Sequence, residues 1–167
     1  GPGDIAFDAG LERLYVGSGG TNEVLTFEAS NGAFLVDFVR QNTGGLIKVR
    51  GLAFHPGGDL LVVSQGSHQV LRYSGLTSGA LVQILADDDD IQNNRAVAAT
   101  AAGDVFIAVP SGGNLKIRRY NGTTGEFVQE FVDENIFFLG SLLVPDMTAN
   151  DDGDLFLTFE ISGFKGI

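Results

Sequence analysis

The sequence contains no cysteine and no tryptophan, and it has only four prolines and one methionine in 167 residues. Without cysteine it can form neither a disulfide framework nor a thiol-based active site. No apolar run approaches the roughly 20 residues that a membrane-spanning helix needs, and no secretory signal peptide is visible. No extended stretch shows the helical period of apolar side chains either. A strand-built fold with a core of phenylalanine, leucine and valine is therefore expected.

Positive charge is scarce as well. Lysine and arginine number 10 against 21 aspartates and glutamates, so the net charge is −11. This balance argues against binding the phosphate backbone of nucleic acids, which needs clustered basic side chains, and against docking on an anionic membrane. Cationic partners, metal ions and neutral protein surfaces are compatible with it. The compartment stays open, with a secreted, periplasmic or organelle-lumen setting favoured by the acidic, cysteine-free composition.

Glycine, in contrast, is abundant at 24 residues, and it marks a repeat. The segment EVLTFEASNGAFLVDFV (23–39) returns at 69–85 and again at 116–132. Its aromatic anchors Phe27, Tyr73 and Tyr120 are spaced 46 and then 47 residues apart. The strings GDLLV (58–62), GDVFI (103–107) and GDLFL (153–157) mark the same period. Self-similarity at this period predicts a propeller or a solenoid.

Each repeat contains four short strand signals bounded by Gly, Asn, Asp and Ser, which are turn formers. The predicted first strands are 4–7, 51–54, 97–100 and 146–149, and the second strands are 13–17, 59–63, 104–109 and 154–159. The third are 23–27, 69–73 and 116–120, and the fourth are 33–39, 80–85 and 126–132. Three residues before each aromatic anchor stands Val24, Val70 or Ile117. The two sets therefore occupy opposite faces of an extended strand, as in a sheet packed on both sides.

Four antiparallel strands in a repeat of about 45 residues predict an all-β β-propeller blade; a generic β-sandwich is the alternative. We expect residues 1–167 to form one partial propeller, with blades at about 4–39, 51–85 and 97–132 and a half-blade at 146–159. Closed propellers have about 4–8 blades, so three and a half leave strand edges open. The expected explanation is a piece of a longer chain. The alternatives are ring closure by two or more copies, or a protein partner or further propeller blades that cover the open edges.

The string RGLAFHPGGDLLVVSQGSHQVLRYSGLTSGALVQIL (50–85) resembles the NHL-type propeller repeat and the related gluconolactonase/regucalcin and streptogramin-lyase propellers. The likeness lies in G-L-A-F, a Pro/Gly turn, G-D-L-x-V and then H-Q-V-L-R-Y. It covers nearly the whole chain, although AATAAG replaces the G-L-A-F turn in the third repeat. The resemblance implies a propeller of four-stranded blades. It implies no single function, because the group includes lyases, lactonases and protein-binding modules.

An acidic run between the second and third blades is the sharpest candidate metal site. Its carboxylates are Asp87, Asp88, Asp89 and Asp90. Hard oxygen ligands of this kind suit calcium, which takes about 6–8 oxygens. Four adjacent carboxylates point in different directions, however, so a solvated acidic loop is the other interpretation. The acidic cluster around Gly153 is also calcium-like in composition, but it coincides with a hairpin turn present in every repeat.

The chain offers little for catalysis. Its two histidines, His55 and His68, are too few for a catalytic zinc site, which usually has three protein ligands, and His68 is expected to be structural. No G-x-S-x-G elbow, P-loop or Ser-His-Asp constellation is present. No catalytic residue is predicted, and calcium is the one cofactor considered.

The connection after the third blade contains IFFLGSLLV (136–144), an uncharged run. It is either an extended strand or plug packed on the core, or an exposed patch that binds a protein partner. In the second case its anchors are Phe137, Phe138, Leu139, Leu142 and Leu143.

Two functional hypotheses follow. The first is a non-catalytic propeller module that serves as a protein-binding subunit or scaffold, which the bland loops and the apolar connection favour. The alternative, implied by the resemblance, is a metal-dependent lyase- or lactonase-type enzyme with its site at the channel mouth.

Overall fold

A computed structural model of the chain describes residues 1–75, 79–87, 95–111, 114–134 and 141–162. These residues form fourteen β-strands and one short 3-10 turn at Thr43–Gly45, with no α-helix among them. Within this described part, no helix has the length and apolar character that crossing a membrane requires.

The strands form three four-stranded sheets and one two-stranded sheet, each in sequence order. Blade 1 consists of β1 (Pro2–Asp8), β2 (Arg13–Ser18), β3 (Glu23–Glu28) and β4 (Phe34–Val39). Blade 2 consists of β5 (Val49–Phe54), β6 (Leu60–Ser64), β7 (Gln69–Tyr73) and β8 (Leu81–Asp87). Blade 3 consists of β9 (Val97–Ala99), β10 (Asp104–Ser111), β11 (Asn114–Asn121) and β12 (Phe127–Glu134). The half-blade consists of β13 (Ser141–Ala149) and β14 (Leu155–Ser162).

All paired strands are antiparallel. The first strands of successive blades contact one another, with β1 beside β5, β5 beside β9 and β9 beside β13. They therefore form the inner edge of the arc, and the fourth strands are outermost. The prediction of an all-β propeller with three and a half blades is confirmed.

The core lies between blades, in three apolar layers. Tyr73 packs in the layer between blades 1 and 2, whereas Val70 of the same strand packs in the layer between blades 2 and 3. The predicted placement of the valine and aromatic positions on opposite faces is thus confirmed for β7. Because an interior blade contributes one face to each of the two layers beside it, both of its faces are apolar.

Only β7 matches its predicted bounds at both ends, and the differences at β9 and β13 have a specific structural cause. Strand β9 ends at Ala99, because the N–H of Thr100 donates to the carbonyl of Asp104 and begins the turn. Strand β13 begins at Ser141 and not at residue 146. Its ladder with β14 shifts register between Leu143 and Asp146, so a bulge allows the strand to continue backwards through the apolar run.

Candidate interaction site

The structure places only part of the predicted metal site. Asp87 is the exposed last residue of β8, and its Oδ2 accepts a 3.0 Å hydrogen bond from Nε2 of Gln69. Asp88, Asp89 and Asp90 lie outside the described residues. Among those that are described, no group of three or more His, Cys, Asp or Glu side chains is arranged to hold a metal ion. The calcium site stays a prediction.

The second acidic cluster is the predicted hairpin turn. The N–H of Asn150 donates to the carbonyl of Asp154 at 3.1 Å, and its side-chain Oδ1 accepts from the N–H of Asp154 at 2.8 Å. Gly153 has a φ of 90°, which an L side chain rarely adopts. These contacts explain the residue types without a metal ion.

Only the second part of the apolar run, residues 141–144, lies within the part of the chain that the structure describes. Phe137, Phe138 and Leu139 lie outside the described residues. Leu142 and Leu143 belong to strand β13, where they pair with Ile161 and Glu160 of β14. Residues 141–144 therefore form an extended strand, which was one of the two interpretations of the run, and the predicted connection is shorter because their backbone extends the inner strand of the half-blade.

Sequence reasoning missed an apolar surface on blade 1. Cross-strand pairing places Ile5 beside Val16, and Phe7 beside Leu14. The row that contains Phe7 and Leu14 continues across the sheet to Phe27 and Phe34. The rings of Phe27 and Phe34 meet edge to face, with their centroids 5.7 Å apart. We call this surface the open face of blade 1, and its members are Ile5, Phe7, Leu14, Val16, Leu25, Phe27 and Phe34.

The open face corresponds to a face of blade 2 that is buried at most positions. Ile5 is 59% exposed, whereas its equivalent Leu52 is 6% exposed. Phe7 is 54% exposed, whereas its equivalent Phe54 is partly buried; Phe34 is 55% exposed, and its equivalent Leu81 is exposed as well, at 36%. Four further blade 2 positions equivalent to open-face residues are fully buried against blade 1: Leu60, Val62, Leu71 and Tyr73. The signal that could have revealed this surface is the repeat itself, because a first blade carries the same apolar face but has no preceding blade among the described residues.

The first strands carry two carboxylates at equivalent positions, Asp4 on β1 and Asp146 on β13. One oxygen of Asp4 accepts from the N–H of Ile5 at 2.7 Å, and the other accepts from the N–H of Leu52 in blade 2 at 2.8 Å. Oδ1 of Asp146 likewise accepts from the N–H of Met147 at 2.8 Å. Both line a cleft between the first strands. The hydrogen bond from the next residue's N–H fixes each carboxylate to its own strand. The hydrogen bond from Leu52 joins blade 1 to blade 2.

The surroundings of Asp4 in this cleft disfavour the charged form of its carboxyl group. Burial raises the pKa of the Asp4 carboxyl, and the charge of Asp146 raises it further, whereas the N–H donors of Leu52 and Ile5 lower it. The net direction is upward. Two carboxylates are too few to form a metal centre by themselves, so the cleft is a polar seam between blades.

A second polar seam joins blades 2 and 3. It lies at the turn between β5 and β6 and at the turn that follows β11. His55 is buried, and its Nδ1 accepts from the N–H of Gly57 at 3.2 Å. Arg72 lies nearby, with its Nε 2.7 Å from Asp59 and its Nη1 2.7 Å from the carbonyl oxygen of Gly122 in blade 3. Burial, and next the positive charge of Arg72, lower the pKa of His55. The imidazole is therefore a neutral structural group in this seam.

No protein-family model matches the chain, and no curated protein matches it in sequence. Solved structures do match. A chain of the nidogen/laminin complex aligns with a TM-score of 0.70 at 15% identity, over 89% of this chain and 52% of that one. A streptogramin B lyase aligns with a TM-score of 0.69 at 15% identity, over 95% of this chain and 48% of that one. A catalytically inactive virginiamycin B lyase from Staphylococcus aureus, with quinupristin, gives 0.67 at 14% identity over 95% and 48%.

These identities are low, so the likeness shows the fold alone: the chain is built as β-propeller blades. It spans about half the length of the solved structures that it matches. The more specific resemblance to the NHL-type repeat rests on the sequence pattern and stays a prediction.

Proposed function

We propose that this chain is a non-catalytic β-propeller module that binds a protein partner or a further propeller blade through the open face of blade 1. The observation that carries the proposal is the contrast between equivalent positions. Ile5 is 59% exposed where Leu52 is 6% exposed, although both belong to the same strand of the repeat. A contiguous apolar surface of this kind marks an interaction site in a soluble protein.

The gain from covering the surface is substantial. Fully burying a large apolar side chain contributes about 1.5–3 kcal/mol. Ile5, Phe7 and Phe34 are each roughly half exposed, so complete coverage adds on the order of 1 kcal/mol apiece. The partly buried aliphatic side chains between them add to this sum. The surface is therefore suited to a partner with a flat apolar face, such as a second β-sheet.

The comparisons support a binding role by analogy only. One of the matched structures is itself a protein–protein complex, that of nidogen with laminin. The apolar run with Phe137, Phe138, Leu139, Leu142 and Leu143 is included in the proposal as a second contact region.

The test is affinity capture with matched charge variants. The double variant Phe7→Glu/Phe34→Glu places charge on the open face, and Val82→Glu/Val128→Glu places the same charge on exposed side chains of the outermost strands of blades 2 and 3. Proteins quantified by mass spectrometry should bind the unaltered chain and the control, and be lost from the open-face variant. If both variants capture the same proteins, the open face is not the binding surface.

A metal-dependent lyase- or lactonase-type activity is the second candidate. It is supported by the two lyase structures among the matches and by the acidic run Asp87–Asp90. Metal analysis of the purified chain, with assays of lactone hydrolysis, tests it. Stoichiometric calcium that is lost when Asp88 and Asp90 are both replaced by Asn supports a metal site. A metal-free chain without activity rules out this candidate for these 167 residues.

A further inference from the structure

The half-blade repeats the turn that precedes the second strand of blades 2 and 3. Gly58, Gly103 and Gly153 have φ values of 87°, 88° and 90°. Their N–H groups donate to equivalent carbonyl oxygens, at 2.8, 2.9 and 3.1 Å. In each case the next residue is an aspartate, and the strand that follows is apolar. The half-blade thus has the same local geometry as a complete blade up to the end of its second strand.

In blades 2 and 3, an arginine on the third strand binds that aspartate; blade 1 has Arg13 and Thr26 at the two equivalent positions. Arg72 pairs with Asp59 at 2.7 Å, and Arg119 pairs with Asp104 at 2.6 Å. The equivalent carboxylate of the half-blade belongs to Asp154, which is exposed and accepts one side-chain hydrogen bond, from Asn150 at 3.1 Å. Among the described residues, β14 pairs only with β13.

The strand position beside this carboxylate is also more exposed in the half-blade; its equivalent in blade 3, Phe106, packs in the layer between blade 3 and the half-blade. Phe106 on β10 lies opposite Arg119 on β11 and is 4% exposed. Phe156, its equivalent on β14, is 57% exposed. An exposed strand edge carries unpaired N–H and C=O groups, which a further strand can pair with.

In blades 2 and 3, a glycine is also required two residues after the tyrosine of the third strand; the equivalent residue of blade 1 is Ala29. A Cβ on Gly75 would collide with the carbonyl oxygen of Gly58, and one on Gly122 would collide with that of Gly103. The N–H of Gly122 instead donates to that oxygen at 3.1 Å. The half-blade presents the equivalent carbonyl on Gly153.

Blade 3 contains the arginine that such a glycine would contact. The Gly122 carbonyl accepts from Nη1 of Arg72 in the preceding blade at 2.7 Å. Arg119 is the equivalent of Arg72, and its Nε is buried without a hydrogen-bond partner among the described residues. A third strand on the half-blade would bring a glycine carbonyl to this guanidinium.

We propose that the free edge of β14 binds an antiparallel strand of a partner segment with the pattern apolar-x-Arg-Tyr-x-Gly. This is the pattern shared by VLRYSG (70–75) and IRRYNG (117–122). In the register of blades 2 and 3, the tyrosine lies opposite Leu155, the arginine opposite Phe156 and the apolar residue opposite Thr158. The arginine binds Asp154, and the glycine packs against Gly153. This surface is separate from the open face of blade 1.

A labelled peptide that copies residues 68–87, the third and fourth strands of blade 2, tests the proposal by fluorescence anisotropy with the full 167-residue chain. We expect saturable binding that Asp154→Asn weakens about tenfold, as for the loss of a charge-assisted contact. Asp152→Asn removes the same charge from an exposed position of the same turn, so it is the matched control and should bind normally. Arg72→Gln or Gly75→Ala in the peptide should weaken binding as well.

Charge exchange separates a direct contact from misfolding of the variant. Asp154→Arg should lose the original peptide and bind a peptide with Arg72→Glu. Equal affinity for Asp154→Asn and Asp152→Asn, or no binding of any peptide, overturns the proposal. The proposal is also overturned if the chain forms a concentration-dependent dimer that Asp154→Asn dissociates. In that case the strand bound at β14 comes from a second copy of this chain. Phe7→Glu should leave peptide binding unchanged, so this test and that of the open face can fail independently.

Discussion

The guanidinium of Arg72 in blade 2 donates a 2.7 Å hydrogen bond to the main-chain oxygen of Gly122 in blade 3. The same side chain binds Asp59 of its own blade. One arginine therefore fixes the hairpin of its blade and the position of the next blade. Most of the remaining contact between blades 2 and 3 is apolar, and apolar packing has little directionality. One further hydrogen bond joins these blades, from Nε2 of Gln83 to the carbonyl of Thr124 at 2.8 Å. We infer that the two contacts together determine how blade 3 is seated on blade 2.

Replacing Arg72 by Met should lower the free energy of unfolding by about 2 kcal/mol, because Asp59 and the Gly122 carbonyl lose a charged donor. Urea unfolding followed by circular dichroism measures the change. Arg40→Met is the matched control, since Arg40 is exposed, and its effect should be within about 0.5 kcal/mol. Equal effects of the two variants would show that the contact between blades contributes nothing.

Tyr73 provides a smaller test of a contact between blades 1 and 2. Its ring is fully buried, and its hydroxyl donates to the carbonyl of Thr43 at 2.8 Å. Tyr73→Phe keeps the ring and removes the donor, so we expect a loss of about 1 kcal/mol in urea unfolding. Tyr73→Ala also leaves a cavity and should cost about 3–5 kcal/mol. If Tyr73→Phe is as stable as the unaltered chain, the hydroxyl contact is not stabilising.

His55 should make stability depend on pH. Its pKa is lowered from 6.5 in the folded chain, so below about pH 6.5 the unfolded chain binds more protons than the folded one. The free energy of unfolding should therefore fall as the pH is lowered through 6.5 towards the folded pKa. Urea unfolding between about pH 7.5 and pH 5.5 measures this slope. We expect His55→Gln to flatten it; an unchanged slope in that variant assigns the effect to other groups.

The blades could be predicted from the sequence because their signals are local. Alternating apolar residues and the Gly-Asp turns at 58–59, 103–104 and 153–154 recur at a fixed period. Contacts between blades could not be predicted in this way. Tyr73 and Thr43 are 30 residues apart, and Arg72 and Gly122 are 50 apart, so no local pattern connects them.

The candidate surfaces were harder to predict for a physical reason. Ile5 and Leu52 have the same place in the repeat and similar chemistry, yet their exposures are 59% and 6%. Exposure depends on whether a neighbouring blade is present, and the strand pattern is the same in both cases. The acidic and apolar runs could be identified as candidates because their composition is unusual. The open face consists of residue types that are common in any core, so composition does not distinguish it.

That contrast predicts unequal effects of equivalent substitutions in the isolated chain. Leu52→Ala should cost about 3 kcal/mol of unfolding free energy, because it leaves a cavity between blades 1 and 2. Ile5→Ala should cost about 1 kcal/mol or less, because much of the side chain is already in water. Thermal and urea unfolding of the two variants measure the difference. Equal losses would indicate that the open face is covered in the isolated chain.

The most direct measurement is photo-crosslinking from the open face. A photoreactive phenylalanine analogue replaces Phe7 in one variant and Val82, exposed on the outermost strand of blade 2, in a control. Crosslinked products are identified by mass spectrometry under native conditions. We predict that position 7 captures a defined protein or propeller segment in high yield and that position 82 does not. Equal, non-specific labelling from both positions would contradict the assignment of the open face of blade 1 as a binding surface.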